Sequence, residues 1–255
     1  VGKEDIKIDD RPMEEMTVIS IPLTETDYYY KHNLFGSRDR ISRIGSGMAD
    51  GRVIFEIHTE GICVMTAQIE KRCMYIRYDR PRDVYERIIL IDPGHGGEDS
   101  GSVAYDISEK DIVSGIAEKI SVSGDASTGV FFTRTGDEMV SSKEREEIAK
   151  KLDPDLLVTL HTNADDSTRI TRGVEIFYND PELKERSEKL ADGLARILGS
   201  PEKTVMRKKT IPGYESTGVP CIYAGTGFIT NRSEAELMET DDYGEKAAKA
   251  LEEIF

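Results

Sequence analysis

The chain has 255 residues, of which 38% are hydrophobic and 33% charged, enough to bury one good core and a second, smaller one. Its formal charge of −15 argues against nucleic acid or an anionic membrane surface as partner, because both demand an excess of Lys and Arg. No apolar stretch is long enough to cross a bilayer, and none resembles a signal peptide.

In chain order, strand-like runs come first: Met16 to Leu23, Arg52 to His58, Ile62 to Ala67 and Cys73 to Tyr78, several with period-two alternation. Ser46-Gly47, Asp50-Gly51 and Glu60-Gly61 supply turns between them, so residues 1–83 are expected to form a small antiparallel β domain. Tyr28-Tyr29-Tyr30 reads as a core or hairpin cluster, with an exposed stacking patch as the alternative, and His32 and His58 read as surface or strand residues. The charged, Pro-containing stretch Arg80 to Glu86 marks a boundary, and residues 84–255 then alternate strand and helix. Strands are expected at Ile88 to Asp92, Gly129 to Thr133, Leu156 to His161, Gly173 to Tyr178 and Pro220 to Ala224. Helices are expected at Asp111 to Ile120, Ser142 to Lys151, Glu182 to Leu198 and Tyr243 to Ile254. Asp180 should cap the third of these and Gly199 should stop it. The fold class is therefore α/β, a mostly parallel sheet flanked by helices on both faces.

Three cysteines, Cys63, Cys73 and Cys221, are an odd number without metal-like spacing. Cys221 lies in an apolar strand and reads as a buried thiol; a bridge between Cys63 and Cys73 stays open if the two face each other across a hairpin.

The chemistry concentrates where apolar strands end. Ile88 to Ile91 runs into Asp92-Pro93-Gly94-His95-Gly96-Gly97, whose glycines leave space beside the imidazole, and Leu156 to Leu160 runs into His161-Thr162-Asn163. Between them Ser108 reads as a helix N-cap and Glu109 as a first-turn acid on the same edge of the sheet. Two imidazoles and a carboxylate with a fourth position left to water are the ligand pattern of a catalytic zinc site. The plain alternatives are hydrogen-bonded structural histidines and a Glu placed only to favour the helix dipole.

Several ordered stretches add to this pattern. Asp92 to Gly97 with Asp99-Ser100-Gly101, Glu109-Lys110-Asp111, Thr133 to Asp137, Glu144-Arg145 with Ile148-Ala149, Leu160 to Ala164, Gly173 to Tyr178 and Gly227 to Asn231 resemble the catalytic domain of the zinc-dependent N-acetylmuramoyl-L-alanine amidases. The resemblance covers Arg87 to Phe255 and implies one zinc ion per chain held by His95, Glu109 and His161. It implies hydrolysis of the amide between N-acetylmuramic acid and the L-alanine of the peptidoglycan stem peptide by a metal-activated water. It also implies a bacterial wall substrate, a place outside the cytoplasmic membrane reached through a signal or anchor segment absent from this chain, and a role for residues 1–83 in wall targeting or partner binding. Asp92 and Asn163, beside the ligands, are candidates for orienting the imidazoles. One position departs from the family pattern: its general-base Glu, two residues before Gly-Phe, aligns with Gly225. Three readings follow. Glu215 or Glu175 supplies the base, the metal supports slow turnover alone, or the domain binds peptidoglycan or a regulatory partner without cutting it. Glu215 read plainly is a solvated loop acid, and Glu175 a sheet-surface residue. A zinc carboxypeptidase shares the metal logic without the motif match.

Overall fold

The computed structural model describes residues 5–22, 37, 39–70, 73–121 and 126–255. Tyr28-Tyr29-Tyr30 and His32 lie outside the described residues. The chain divides into two compact units, Val1–Val84 and Tyr85–Phe255.

The first unit is antiparallel throughout. Strands β1 (Lys7–Arg11), β2 (Met16–Pro22), β3 (Ile41–Ala49) and β4 (Arg52–Thr59) form a sheet in the order β1-β2-β4-β3, and β5 (Val64–Glu70) pairs with β6 (Cys73–Asp79). Alternation in β2 and β4 sends Ile19, Val53, Phe55 and Ile57 inward, where they meet Cys63 and Tyr78. His58 stays half-buried on β4 with its Nε2 2.7 Å from the Arg43 guanidinium. A one-turn helix, α1 (Pro81–Val84), closes the unit.

The second unit is built on β7 (Arg87–Pro93), whose Ile88, Ile89, Leu90 and Ile91 are fully buried. A strand covered on both faces reads as a continuous apolar run, and β7 is one. After the short hairpin β8 (Val103–Ala104) and β9 (Ile107–Ser108) come α2 (Glu109–Glu118), β10 (Thr128–Phe132), α3 (Ser142–Leu152), β11 (Leu156–Asn163) and β12 (Val174–Tyr178). The 3-10 turn Pro181–Leu183 leads into α4 (Lys184–Leu198), followed by β13 (Lys203–Arg207), β14 (Cys221–Phe228), α5 (Arg232–Met238) and α6 (Asp241–Glu252). The sheet order is β10-β7-β11-β14-β12-β13; the first four strands are parallel, and β12 runs antiparallel to β14.

Local signals set the helix ends. Ser108 caps α2, and Ser141 with Glu144 forms a capping box on α3. Asp180 accepts from the Glu182 N–H at 2.9 Å, and Gly199 at φ 64 ends α4. Ile89, Ile91, Val158, Leu160, Ile176 and Ala224 pack against α2, α4 and α6, forming the larger core. Alternation turns Asp92, Thr159, His161 and Tyr223 to the opposite face, where α3 sends Arg145 to Asp92. No helix among the described residues is long and apolar enough to cross a membrane.

Cys63 and Cys73 do not meet: Val64 pairs with Asp79 and Cys73 with Glu70, so the two thiols sit at opposite ends of the hairpin, about 20 Å apart at roughly 3.3 Å per residue. All three cysteines are free; burial pushes the Cys63 and Cys221 thiols up, while Cys73 is exposed. Thiol titration without reductant should therefore show one fast-reacting group in the native chain and three after denaturation. A count of one after denaturation would mean that a bridge exists.

Candidate metal centre

His95 and His161 reach the same edge from different strands. β7 delivers Pro93-Gly94-His95 and the parallel β11 delivers His161, with Leu160 paired to Pro93. The two rings stand 5.1 Å apart at 87°. Glu109, the first residue of α2, points between them: its Oε1 lies 3.0 Å from His161 Nδ1 and 3.3 Å from His95 Nε2. One donor atom from each of His95, Glu109 and His161 falls within 4.8 Å of the others. Space is kept by glycine: a Cβ on Gly94 would overlap the His161 ring, and one on Gly101 would lie 2.6 Å from His95 Cδ2.

Glu109 is 3% exposed, so burial opposes its ionisation. Hydrogen bonds from both histidines outweigh that, and the Thr162 and Ser102 backbone N–H groups donate to Oε1 and Oε2 at 2.9 Å each, so the carboxyl is held well below the usual range. The same contact with Glu109 pushes His95 up to about 8, against the opposing effect of burial and with help from Asp99, whose Oδ2 lies 2.8 Å from His95 Nδ1. His95 itself sits at φ 59, a left-handed conformation rare for a residue with a side chain. Two buried arginines hold that turn. Arg134 donates to the carbonyls of Pro93 (3.0 Å) and Gly94 (2.8 Å), and Arg145 to those of Pro93 (2.8 Å) and His95 (2.6 Å).

Residues 89–253 match the family described as N-acetylmuramoyl-L-alanine amidase. The chain belongs to that family. The amidase LytC of Bacillus subtilis strain 168 is 33% identical over 170 residues, which cover 64% of this chain and 34% of LytC. This chain thus spans about a third of that relative. Among solved structures, an N-acetylmuramoyl-L-alanine amidase from Clostridium difficile 630 superposes with a TM-score of 0.60 at 25% identity, covering 66% of this chain and 94% of its own. The CwlD amidase of Clostridioides difficile, solved in complex with the GerS lipoprotein, gives 0.58 at 27% identity, covering 65% and 94%.

In this amidase-family chain Gly225 pairs with His161 on one side and with Glu175 on the other, so all three face the same way across the sheet. The volume above Gly225 is filled by Asn163, whose side-chain amide would overlap a Cβ there and whose Nδ2 donates to the Gly225 carbonyl at 3.3 Å. Glu175 is half-buried in that row. Glu215 is exposed in the loop before β14, next to Ser216, which bonds Glu146 of α3; no hydrogen bond or ion pair joins Glu215 to His95, Glu109 or His161 among the described residues.

Asp92 does not touch either imidazole. It accepts from Thr133 Oγ1 (2.6 Å), Thr159 Oγ1 (2.8 Å) and the Arg145 guanidinium, acting on His95 only through Arg145, while Asp99 makes the direct contact. Sequence reasoning placed Asp99 and both arginines only inside motifs, since nothing in their spacing tells which way they turn. Tyr223, stacked on His161 at 4.9 Å and 10°, was missed altogether because it sits in an apolar strand. Burial, with Glu109 and Glu175 nearby, raises its phenol, so it stays protonated as a donor.

Burial raises the Asp92 carboxyl, but the Arg145 guanidinium and the two threonine hydroxyls bring it below its ordinary value. A depressed native carboxylate contributes stability that is complete above about pH 4 and is lost as pH falls further. Asp92→Asn should cost about 3–5 kcal/mol at neutral pH, because it leaves Arg145 buried without its anion, and should flatten the acid limb of a stability-against-pH curve. Equal acid sensitivity in variant and parent, measured by urea unfolding, would remove Asp92 from that role.

Proposed function

We propose that the Tyr85–Phe255 unit is a zinc-dependent peptidoglycan amidase, hydrolysing the amide between N-acetylmuramic acid and L-alanine. The observation that carries this reading is the convergence of His95, Glu109 and His161, a two-imidazole, one-carboxylate donor set that suits zinc, around a space kept by glycine. A zinc ion held there would supply Lewis acidity, activating a water and polarising the scissile carbonyl.

The chain's own groups do the rest. Asp99 fixes His95 by its Nδ1, leaving Nε2 toward the centre, and Arg134 and Arg145 hold the turn that presents the ring. Proton acceptance falls to Glu175. It stands one strand from Gly225, and facing residues on paired strands are about 5 Å apart at Cβ, within reach of a glutamate side chain. Asn163, above Gly225, can hydrogen-bond a water but cannot take its proton. The exposed loop position of Glu215 supports it less as a base.

Gly225 also favours a second reading, a catalytically impaired amidase fold that binds peptidoglycan or a regulatory partner. On either reading the protein works outside the cytoplasmic membrane at the wall, and the Val1–Val84 unit serves wall or partner binding. The CwlD–GerS complex is a precedent for a partner.

Metal analysis of protein prepared without chelators should find about one zinc per chain, with most of it lost in His95→Ala and His161→Ala. Protein that takes up no zinc under conditions that load a known amidase would refute the site.

A hydrolysis assay on muropeptides then separates the readings, with zinc content checked for each variant. If Glu175 is the base, the parent turns over and Glu175→Gln loses about 100-fold or more. If the fold is impaired, the parent is inactive and Gly225→Glu gains at least about tenfold, best tested with Asn163→Ala beside it to make room. Full activity in Glu175→Gln would exclude Glu175.

A further inference from the structure

The face that carries His161 continues across β14 and β12 as a row of stacked rings. His161 lies 4.9 Å from Tyr223 at 10°, Tyr223 lies 5.5 Å from Phe177 at 25°, and the Lys208 ammonium sits 3.2 Å from the centre of the Phe177 ring. The strand order β11-β14-β12-β13 places these contacts on successive sides. One face of Tyr223 is therefore taken by His161 and the other by Phe177, while the far face of Phe177 is taken by Lys208. Tyr223, Phe177 and Lys208 are each half-buried.

Two consequences follow from this geometry. A sugar ring binds an aromatic residue by lying flat on its face, and Tyr223 and Phe177 have no face left to offer. What the row presents is ring edges, which carry the positive end of the aromatic quadrupole, a phenol hydroxyl and an ammonium group. These all favour oxygen acceptors. Lys208 also has no carboxylate partner among the described residues, whereas Lys110, Lys119, Lys203 and Lys246 each pair with an Asp. In a chain of charge −15 an unpaired, half-buried ammonium at the end of a row leading from the candidate metal centre is a selective feature for an anion.

We propose that the Tyr223–Phe177–Lys208 row is the peptide side of the substrate groove, and that Lys208 selects a stem peptide carrying a free carboxylate near the scissile bond. The proposal rests on the reading of His95, Glu109 and His161 as the reacting centre, and it assigns the peptide, not the glycan, to this face. Lys208 is a binding residue here and takes no part in bond breaking.

The test is calorimetric binding to the full zinc-loaded chain, with no turnover needed. Ligands are N-acetylmuramoyl-L-alanyl-D-glutamic acid with a methylene group in place of the scissile amide nitrogen so that it cannot be hydrolysed, its analogue with both glutamyl carboxyls converted to carboxamides, and N-acetylmuramic acid alone. The parent should prefer the free acid over the diamide by about tenfold, the worth of one charge-assisted hydrogen bond. Lys208→Met, which keeps the aliphatic cover on Phe177, should abolish that preference, and Lys208→Arg should restore it. A parent that binds both peptides equally or binds neither, a Lys208→Met variant that keeps the preference, or binding of N-acetylmuramic acid alone that depends on Lys208 would each overturn the proposal. Zinc content is measured in parallel. Loss of metal would count against the reacting centre, whereas intact metal with no carboxylate preference would count against this proposal alone.

Discussion

A carboxylate that is 3% exposed can stay ionised only if the fold supplies its hydrogen bonds, and Glu109 receives them from four donors on three separate segments. The Ser102 N–H comes from the loop after β7, the Thr162 N–H and His161 from β11, and His95 from the turn that ends β7. Each donor fixes a piece of chain relative to α2. A one-residue slip of β11 against β7 would turn His161 to the core face and withdraw the Thr162 N–H from Glu109 at the same time. The register that fills the core therefore also holds the geometry of His95, Glu109 and His161.

The second constraint is the turn at His95. A left-handed residue with a side chain is unfavourable in isolation, and three successive carbonyls there, of Pro93, Gly94 and His95, are each taken by a buried guanidinium. The guanidinium of Arg145 is in turn neutralised by Asp92, which two threonines hold. Charge balance thus runs from the middle of the sheet to the candidate metal centre. The arrangement lets a strained residue present an imidazole to an open space.

Strands β7 and β11 were legible because burial on both faces leaves an unbroken apolar run, and their terminal histidines stood out against it. Ser108, Asp180 and Gly199 marked helix ends through local chemistry that needs no tertiary context. Other parts lacked such a signal. β1 and β13 are mostly exposed and polar, so only pairing with a neighbour makes them strands. The boundary stretch Arg80 to Glu86 contains a helical turn, Pro81–Val84, and β14 runs on to Phe228 through Gly225, which is held in the strand by pairing with His161 of β11 and Glu175 of β12. The ring row was illegible because it depends on the cross-strand register of β14 and β12, which no single segment encodes.

The proposed metal chemistry requires two imidazoles and one carboxylate of the second unit to bind the ion, with the cysteines uninvolved. Zinc K-edge absorption spectroscopy of the loaded chain tests it directly. The expected first shell is nitrogen and oxygen at about 2.0–2.1 Å with the outer-shell pattern of two histidines. A sulfur shell at about 2.3 Å, or a spectrum without imidazole, would contradict it.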